Sequence, residues 1–208
     1  MISVSYITSK LNRLETIKKI DESFADLIHV DLMDGIYVEN KNFTIDELKN
    51  NFNDTKKELD VHLMVNNPIE YIDALTKLKT KIITFHLDST NNPIEVINKI
   101  KENNILVGVA INPSDDLNIL DEYYDLIDYV LIMSVVPGKG GQKFMPEVLN
   151  KINLLENKNK LIGIDGGINN ETIKYLKDYK IDIYVSGSYI CMSDDYNKKI
   201  NELKQSIE

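Results

Sequence analysis

The chain is 208 residues long, 43% hydrophobic, and carries a formal net charge of -9. That length can bury a full core and predicts one domain over residues 1–208, while the acidic balance excludes a surface that condenses on nucleic acid or anionic lipid, since both demand a positive field. The lone Cys191 excludes an internal disulfide and suits a reducing compartment. Residues 1–14 lack a basic-then-apolar leader, and no apolar run nears the roughly 20 residues that cross a bilayer. A soluble cytoplasmic protein without nucleic-acid or membrane partners is expected.

Along the chain, short β-rich runs alternate with amphipathic helical stretches. Strands are predicted at residues 2–6, 27–31, 59–64, 81–86, 105–111, 129–133, 161–165 and 183–186. Thr44-Ile45-Asp46-Glu47 has the form of a capping box. Pro68 and Pro93 each follow an Asn, as first-turn prolines after an N-cap do. Ile69, Ile72 and Leu75, and then Ile94, Ile97 and Ile100, recur every third residue and are expected to pack one helix face on a sheet. Eight strand–helix units with little else predict an α/β fold, a closed parallel (β/α)8 TIM barrel near the small end of that fold's range of about 200 residues upward. A doubly wound open sheet is the alternative. No segment reads as linker, low-complexity tract or repeat, and the Asn- and Lys-rich patch at residues 156–160 reads as a solvated turn.

The barrel expectation gives meaning to the polar residues at the strand ends. Active sites of this fold lie where strands give way to loops at the C-terminal face, and His29, Asp31, His62, His86 and Asp165 all fall at or near such ends. Side chains two apart in a strand share a face, so His29 and Asp31 project together. Nitrogen and oxygen ligands converging from separate strands describe a divalent metal site. Singly, each histidine reads more readily as a hydrogen-bonded core residue than as a ligand; the conjunction favours the site. Mixed imidazole and carboxylate ligands suit zinc, iron, manganese or cobalt without choosing among them.

Glycine supplies a second constellation. Pro137-Gly138-Lys139-Gly140-Gly141-Gln142 follows the sixth strand, Gly166-Gly167 the seventh and Gly187-Ser188 the eighth. Glycines let backbone N–H groups approach an anion, and the loops after strands seven and eight form the usual phosphate cradle of a barrel. A phosphorylated substrate follows, although any one of these glycines alone would read as a tight turn.

The runs HVDLMDG (29–35), DVHLMV (60–65), TFH (84–86), VGVAINP (107–113), MSVVPGKGGQKF (133–144), IDGGIN (164–169) and SGS (186–188) together resemble the ribulose-phosphate 3-epimerase family, in order and over nearly the whole chain. The resemblance implies a ribulose-phosphate-binding barrel that interconverts ribulose 5-phosphate and xylulose 5-phosphate in the pentose phosphate pathway. It implies that His29, Asp31, His62 and Asp165 hold a divalent metal, with Asp31 and Asp165 also the acid/base pair. Ser5, His62, Gly138, Gly140, Gly141, Gly166, Gly167, Gly187 and Ser188 match positions that the family uses around the substrate and its phosphate. Homo-oligomers of the chain are implied as well.

These roles make chemical sense. Epimerising a carbon next to a carbonyl removes a proton from one face and returns one to the other, through an enediolate whose charge needs stabilising. Two opposed carboxylates and a Lewis-acidic metal meet those needs. Met33, Met64 and Met133 read equally as a polarizable lining for the enediolate and as core filler. His86 reads as an orienting partner of a ligand or as an ordinary packed histidine. Departures from the family pattern fall in the loops: Ser9-Lys10, Glu39, Asp88, Val136 and Lys139. An epimerase acting on another ketose phosphate, such as a hexulose 6-phosphate, is therefore an alternative. A non-catalytic phosphosugar-binding barrel is a third reading, against which the retained acid/base pair argues.

Overall fold

The computed structural model of the chain describes residues 1–155 and 159–207, so part of the turn expected at residues 156–160 lies outside the described residues. Eight strands form one parallel sheet: β1 (Ile2–Ser5), β2 (Leu27–Met33), β3 (Leu59–Met64), β4 (Thr80–Phe85), β5 (Leu106–Ile111), β6 (Tyr129–Met133), β7 (Leu161–Asp165) and β8 (Ile183–Ser186). Each pairs with the next, and β8 pairs with β1, so the sheet closes and the open-sheet alternative is excluded. β2 runs two residues past its expected end because Met33 stays in register with Met64.

The two-residue period of the strands sorts the sequence onto two faces. Val30, Leu32, Val61, Leu63, Ile83 and Ile164 point outward into the layer between sheet and helices. Leu27, Ile82, Tyr129, Leu131 and Val185 point inward and fill the barrel. Both faces are buried, which is why these strands read as near-continuous apolar runs. Inward positions that break the apolar rule include the buried Ser3, Ser5, His29, Asp31, Asp60, His62 and Thr84, and Asp165 at the end of β7.

The helices start as the sequence signals, with one exception, and one buried face differs from the expected repeat. Thr44 caps α2 (Ile45–Phe52): its Oγ1 accepts from Glu47 N at 3.3 Å while Thr44 N donates to the Glu47 carboxylate at 2.8 Å. Asn92 caps α4 (Pro93–Lys101). Before α3 (Ile69–Leu75), however, Asn67 is no side-chain cap. It adopts φ 61° and its side-chain amide donates to Glu70 at 2.6 Å; a left-handed turn, which Asn tolerates, brings the chain in instead. Ile94 is 40% exposed, and Val96 joins Ile97 and Ile100 in the core. A strict three-residue repeat drifts off the buried stripe of a 3.6-residue helix, and the i, i+1, i+4 set stays on it.

α1 (Arg13–Asp21), α5 (Leu149–Leu155), α6 (Ile173–Leu176), α7 (Ser188–Cys191) and α8 (Tyr196–Ile207) complete the outer layer. Between β5 and β6 the helical connection is reduced to two 3-10 turns, Leu117–Leu120 and Tyr124–Leu126. Leu117, Leu120, Tyr123 and Leu126 all pack on the core, and their three-residue spacing fits the eclipsed side chains of a 3-10 turn. No helix among the described residues is long and apolar enough to cross a membrane.

Candidate metal centre and the cleft above it

Strand register assembles the polar cluster. β2 and β3 pair His29 with Asp60 and Asp31 with His62, and β7 brings Asp165 in beside Met133 of β6. The four predicted ligands, His29, Asp31, His62 and Asp165, each present one donor atom such that all lie within 4.8 Å of one another. His29 Nε2 sits 3.3 Å from Asp31 Oδ1 and 3.8 Å from Asp165 Oδ2, and His62 Nδ1 sits 3.2 Å from Asp31 Oδ1.

The residues fit a divalent cation. His29 Nε2 is buried and makes no directed hydrogen bond among the described residues, although it faces two carboxylates. A buried polar atom in that condition calls for an explanation, and a cation at the centre of the four donors supplies one. Two imidazoles and two carboxylates are a donor set typical of first-row divalent ions. His29 Nδ1 is held by Asp60 at 2.8 Å, with Ser3 Oγ donating to the same oxygen at 2.9 Å. A carboxylate on the far nitrogen fixes the ring and its tautomer.

The fields at the three central groups differ. Burial pushes the His29 pKa down, but the charges of Asp31 and Asp60, with the Asp60 hydrogen bond, outweigh it, and the pKa rises well above its usual value. Burial pushes Asp31 up, but the His29 charge and the two imidazoles beside it hold it far below the carboxylate range. For Asp165 burial wins over the opposing His29 charge and raises the carboxyl to about 6.

Asp31 and Asp165 floor a cleft at the C-terminal end of the barrel, with Ser5 beside them and the three inward methionines around them. Ser5 Oγ donates to Asp31 Oδ2 at 2.8 Å. Met33, Met64 and Met133 are nearly fully buried and still line the cleft, so they fill the core and face the cleft at once. All six predicted glycine positions and Ser188 line the same cleft. At Gly167, φ is 65° and a Cβ would fall 2.6 Å from Phe144 N, so the close approach of the β6 and β7 loops requires glycine. His29 and His62 are fully buried below the floor.

Four of the loop departures cluster at the mouth, whereas Ser9 and Lys10 turn to Tyr196 and Asp194. Val136 and Lys139 line the cleft, where Gln142 Nε2 holds the loop by donating to their carbonyls at 2.6 and 2.9 Å. Asn40 donates to Gly138 O at 2.6 Å and ties the β2 loop to the β6 loop. Glu39 and Asp88 lie on an adjoining depression, where Tyr37 donates to Asp88.

Three supporting residues escaped the sequence reading. Asp60 precedes His62 by two and so shares its face, a signal that strand alternation carries. Ser134 closes the top of β7, its N and Oγ reaching Asp165 O at 2.7 and 2.8 Å. Asn42 Nδ2 donates to Asp31 O at 2.6 Å, beside Tyr6 Oη at 2.8 Å. The last two contacts are long-range and leave no local pattern.

Comparison with known proteins points the same way. The model of the family described as "Ribulose-phosphate 3 epimerase family" matches residues 1–191. A protein of Buchnera aphidicola subsp. Baizongia pistaciae (strain Bp) named "Ribulose-phosphate 3-epimerase" is 37% identical, over 100% of this chain and 96% of its own length. One of the same name from Bacillus subtilis (strain 168) is 36% identical over 91% of each. Among solved structures, 3-hexulose-6-phosphate synthase from Salmonella typhimurium superposes with a TM-score of 0.73, over 99% of this chain and 97% of that one. At 17% identity this likeness concerns the fold alone.

Proposed function

From the premise that the chain belongs to the ribulose-phosphate 3-epimerase family, we propose that it interconverts D-ribulose 5-phosphate and D-xylulose 5-phosphate, with Asp31 and Asp165 as its two proton-transfer groups. The observation that carries this reading is the pairing of those two carboxyls on one cleft floor, one from each side of the barrel mouth. Two carboxyls that face one substrate position suit one to accept a proton while the other delivers one. Standing on β2 and β7, they address a bound ketose from two sides. One withdraws the C3 proton as the other delivers a proton to the opposite face, and the roles exchange when the direction reverses.

His29, Asp31, His62 and Asp165 would hold a divalent cation, with zinc, iron, manganese and cobalt the candidates for the donor set. When bound, it supplies Lewis acidity that offsets the negative charge developing on the substrate oxygens. Ser5 orients the Asp31 carboxylate through its 2.8 Å hydrogen bond. Met33, Met64 and Met133 give the reacting carbons an apolar, polarizable wall that keeps water from quenching the carbanionic intermediate. The glycine loops and Ser188 take the phosphate. On this reading the enzyme serves the pentose phosphate pathway, and the free, buried Cys191 supports a reducing compartment such as the cytoplasm.

Solvent exchange tests the reading. In deuterium oxide the wild-type protein should convert ribulose 5-phosphate to xylulose 5-phosphate with deuterium at C3, and a chelator should stop it. Asp31→Asn and Asp165→Asn should each abolish interconversion. Full activity in either variant, or turnover of a hexulose 6-phosphate in place of the pentulose, would overturn the assignment.

A further inference from the structure

His29 and His62 present different nitrogens to the cluster. His29 faces it with Nε2 because Asp60 holds Nδ1. His62 faces it with Nδ1, and its Nε2 lies 2.8 Å from Nε2 of His86. A contact of that length between two imidazoles requires one ring to donate and the other to accept. If His86 donates, a neutral His62 carries its proton on Nδ1, where it points at Asp31 and has no lone pair for a cation. If His62 donates, its proton sits on Nε2, Nδ1 is open, and His86 carries its own proton on Nδ1.

We infer that His86 is a positioning residue that holds His62 in the second arrangement, with the Nδ1 lone pair aimed at the cation site. The inference rests on the proposed ligand set and goes beyond it by giving a role to a histidine outside that set. Packing alone offers no reason for a histidine here. His86 is 1% exposed, and its Nδ1 has no hydrogen-bond partner among the described residues in either arrangement. A buried polar atom left unmade carries an energetic cost that an apolar ring of the same size would avoid.

The surroundings hold the acceptor in place. Ser89 N and Oγ reach His86 O at 3.1 and 2.6 Å and fix the backbone just past β4. The Tyr37 ring lies over the His86 ring at 5.0 Å, and its hydroxyl donates to Asp88 at 2.9 Å. The β2 loop thus closes the histidine pair off from solvent, so water does not compete for His62 Nε2.

The test uses zinc and two variants. His86→Phe keeps an aromatic ring under Tyr37 but removes the acceptor, and His86→Gln restores an acceptor. Zinc affinity, read by competition with a chromophoric chelator, should fall about 10- to 100-fold in H86F, as loss of a ligand's hydrogen-bond partner does, and should largely return in H86Q. On wild-type protein, long-range proton–nitrogen NMR should show His62 protonated at Nε2 and His86 at Nδ1 once zinc is added, a readout that stands even where H86F fails to fold. Equal zinc affinity in wild type and H86F, or a zinc-loaded His62 still protonated at Nδ1, overturns the inference alone. A wild-type chain that takes up no zinc or other divalent ion removes the ligand set and this inference with it.

Discussion

Asp60 Oδ2 lies 2.8 Å from His29 Nδ1, and that contact leaves Nε2 as the nitrogen that faces Asp31 and Asp165. The two residues are register partners on β2 and β3, so the pairing is built into the sheet. Asp60→Asn keeps the shape but gives His29 a neutral partner that can present either its oxygen or its amide. Divalent-ion affinity should fall about 10- to 100-fold, measured by chelator competition, with little change in melting temperature. Undiminished affinity would mean that packing alone holds the His29 ring.

The strand pattern made this centre legible. Period-two alternation puts His29 and Asp31 on one face, and His62 on the face that Asp60 shares, so both histidine–aspartate pairs follow once the strands are found. Register between strands was not legible: which residue of β3 meets Asp31 depends on how the whole barrel closes. Ser134 and Asn42 reach the site through backbone carbonyls, contacts that any polar side chain at that place in space could make. The exposure of Ile94 has a different root, since the 3.6-residue period alone carries a repeat of three off the buried stripe.

Cation binding should release protons in a pH-dependent count. His29 has its pKa raised well above the usual value, so at pH 7 the cation-free site holds a proton there that a bound ion must displace. Asp165 titrates at about 6, so at pH 5 it carries a second. Ligands bind only when deprotonated, so affinity falls as pH falls, with about one proton released per ion near pH 7 and about two near pH 5. Calorimetry in buffers of different ionisation enthalpy counts these protons. A pH-independent affinity between 5 and 7 would contradict the fields assigned to the two groups.

The barrel interior carries a size constraint at Tyr129. The ring is fully buried, and a Cβ at Gly163 would fall 1.7 Å from its hydroxyl, with another at Gly108 2.8 Å from a ring carbon. Two glycines with ordinary backbone angles are thus used for space. Gly163→Ala should destabilise the fold by about 1–3 kcal/mol, as overpacking does, read by urea unfolding. Gly163→Ala combined with Tyr129→Leu should recover part of that loss, because the clash needs both side chains.

Cys191 connects the phosphate side of the cleft to its labelling chemistry. It ends α7, which Ser188 begins, and its Sγ lies 3.4 Å from Ser5 O. Burial pushes the thiol from 9.0 up to about 12, outweighing the opposing hydrogen bond from Tyr196. Only the thiolate reacts with alkylating reagents, so at pH 8 the folded thiol should react with iodoacetamide roughly a thousandfold more slowly than in urea-unfolded chain, from the pKa difference alone. Fast labelling of folded protein would show that α7 leaves β1 without global unfolding. The same shift has a stability consequence of definite sign. The unfolded thiol ionises first, so the contribution from Cys191 is fully present below pH 9 and is lost as pH rises towards about 12. Cys191→Ala should therefore flatten the alkaline side of the stability profile, and a steeper fall in that variant would place the responsible group elsewhere.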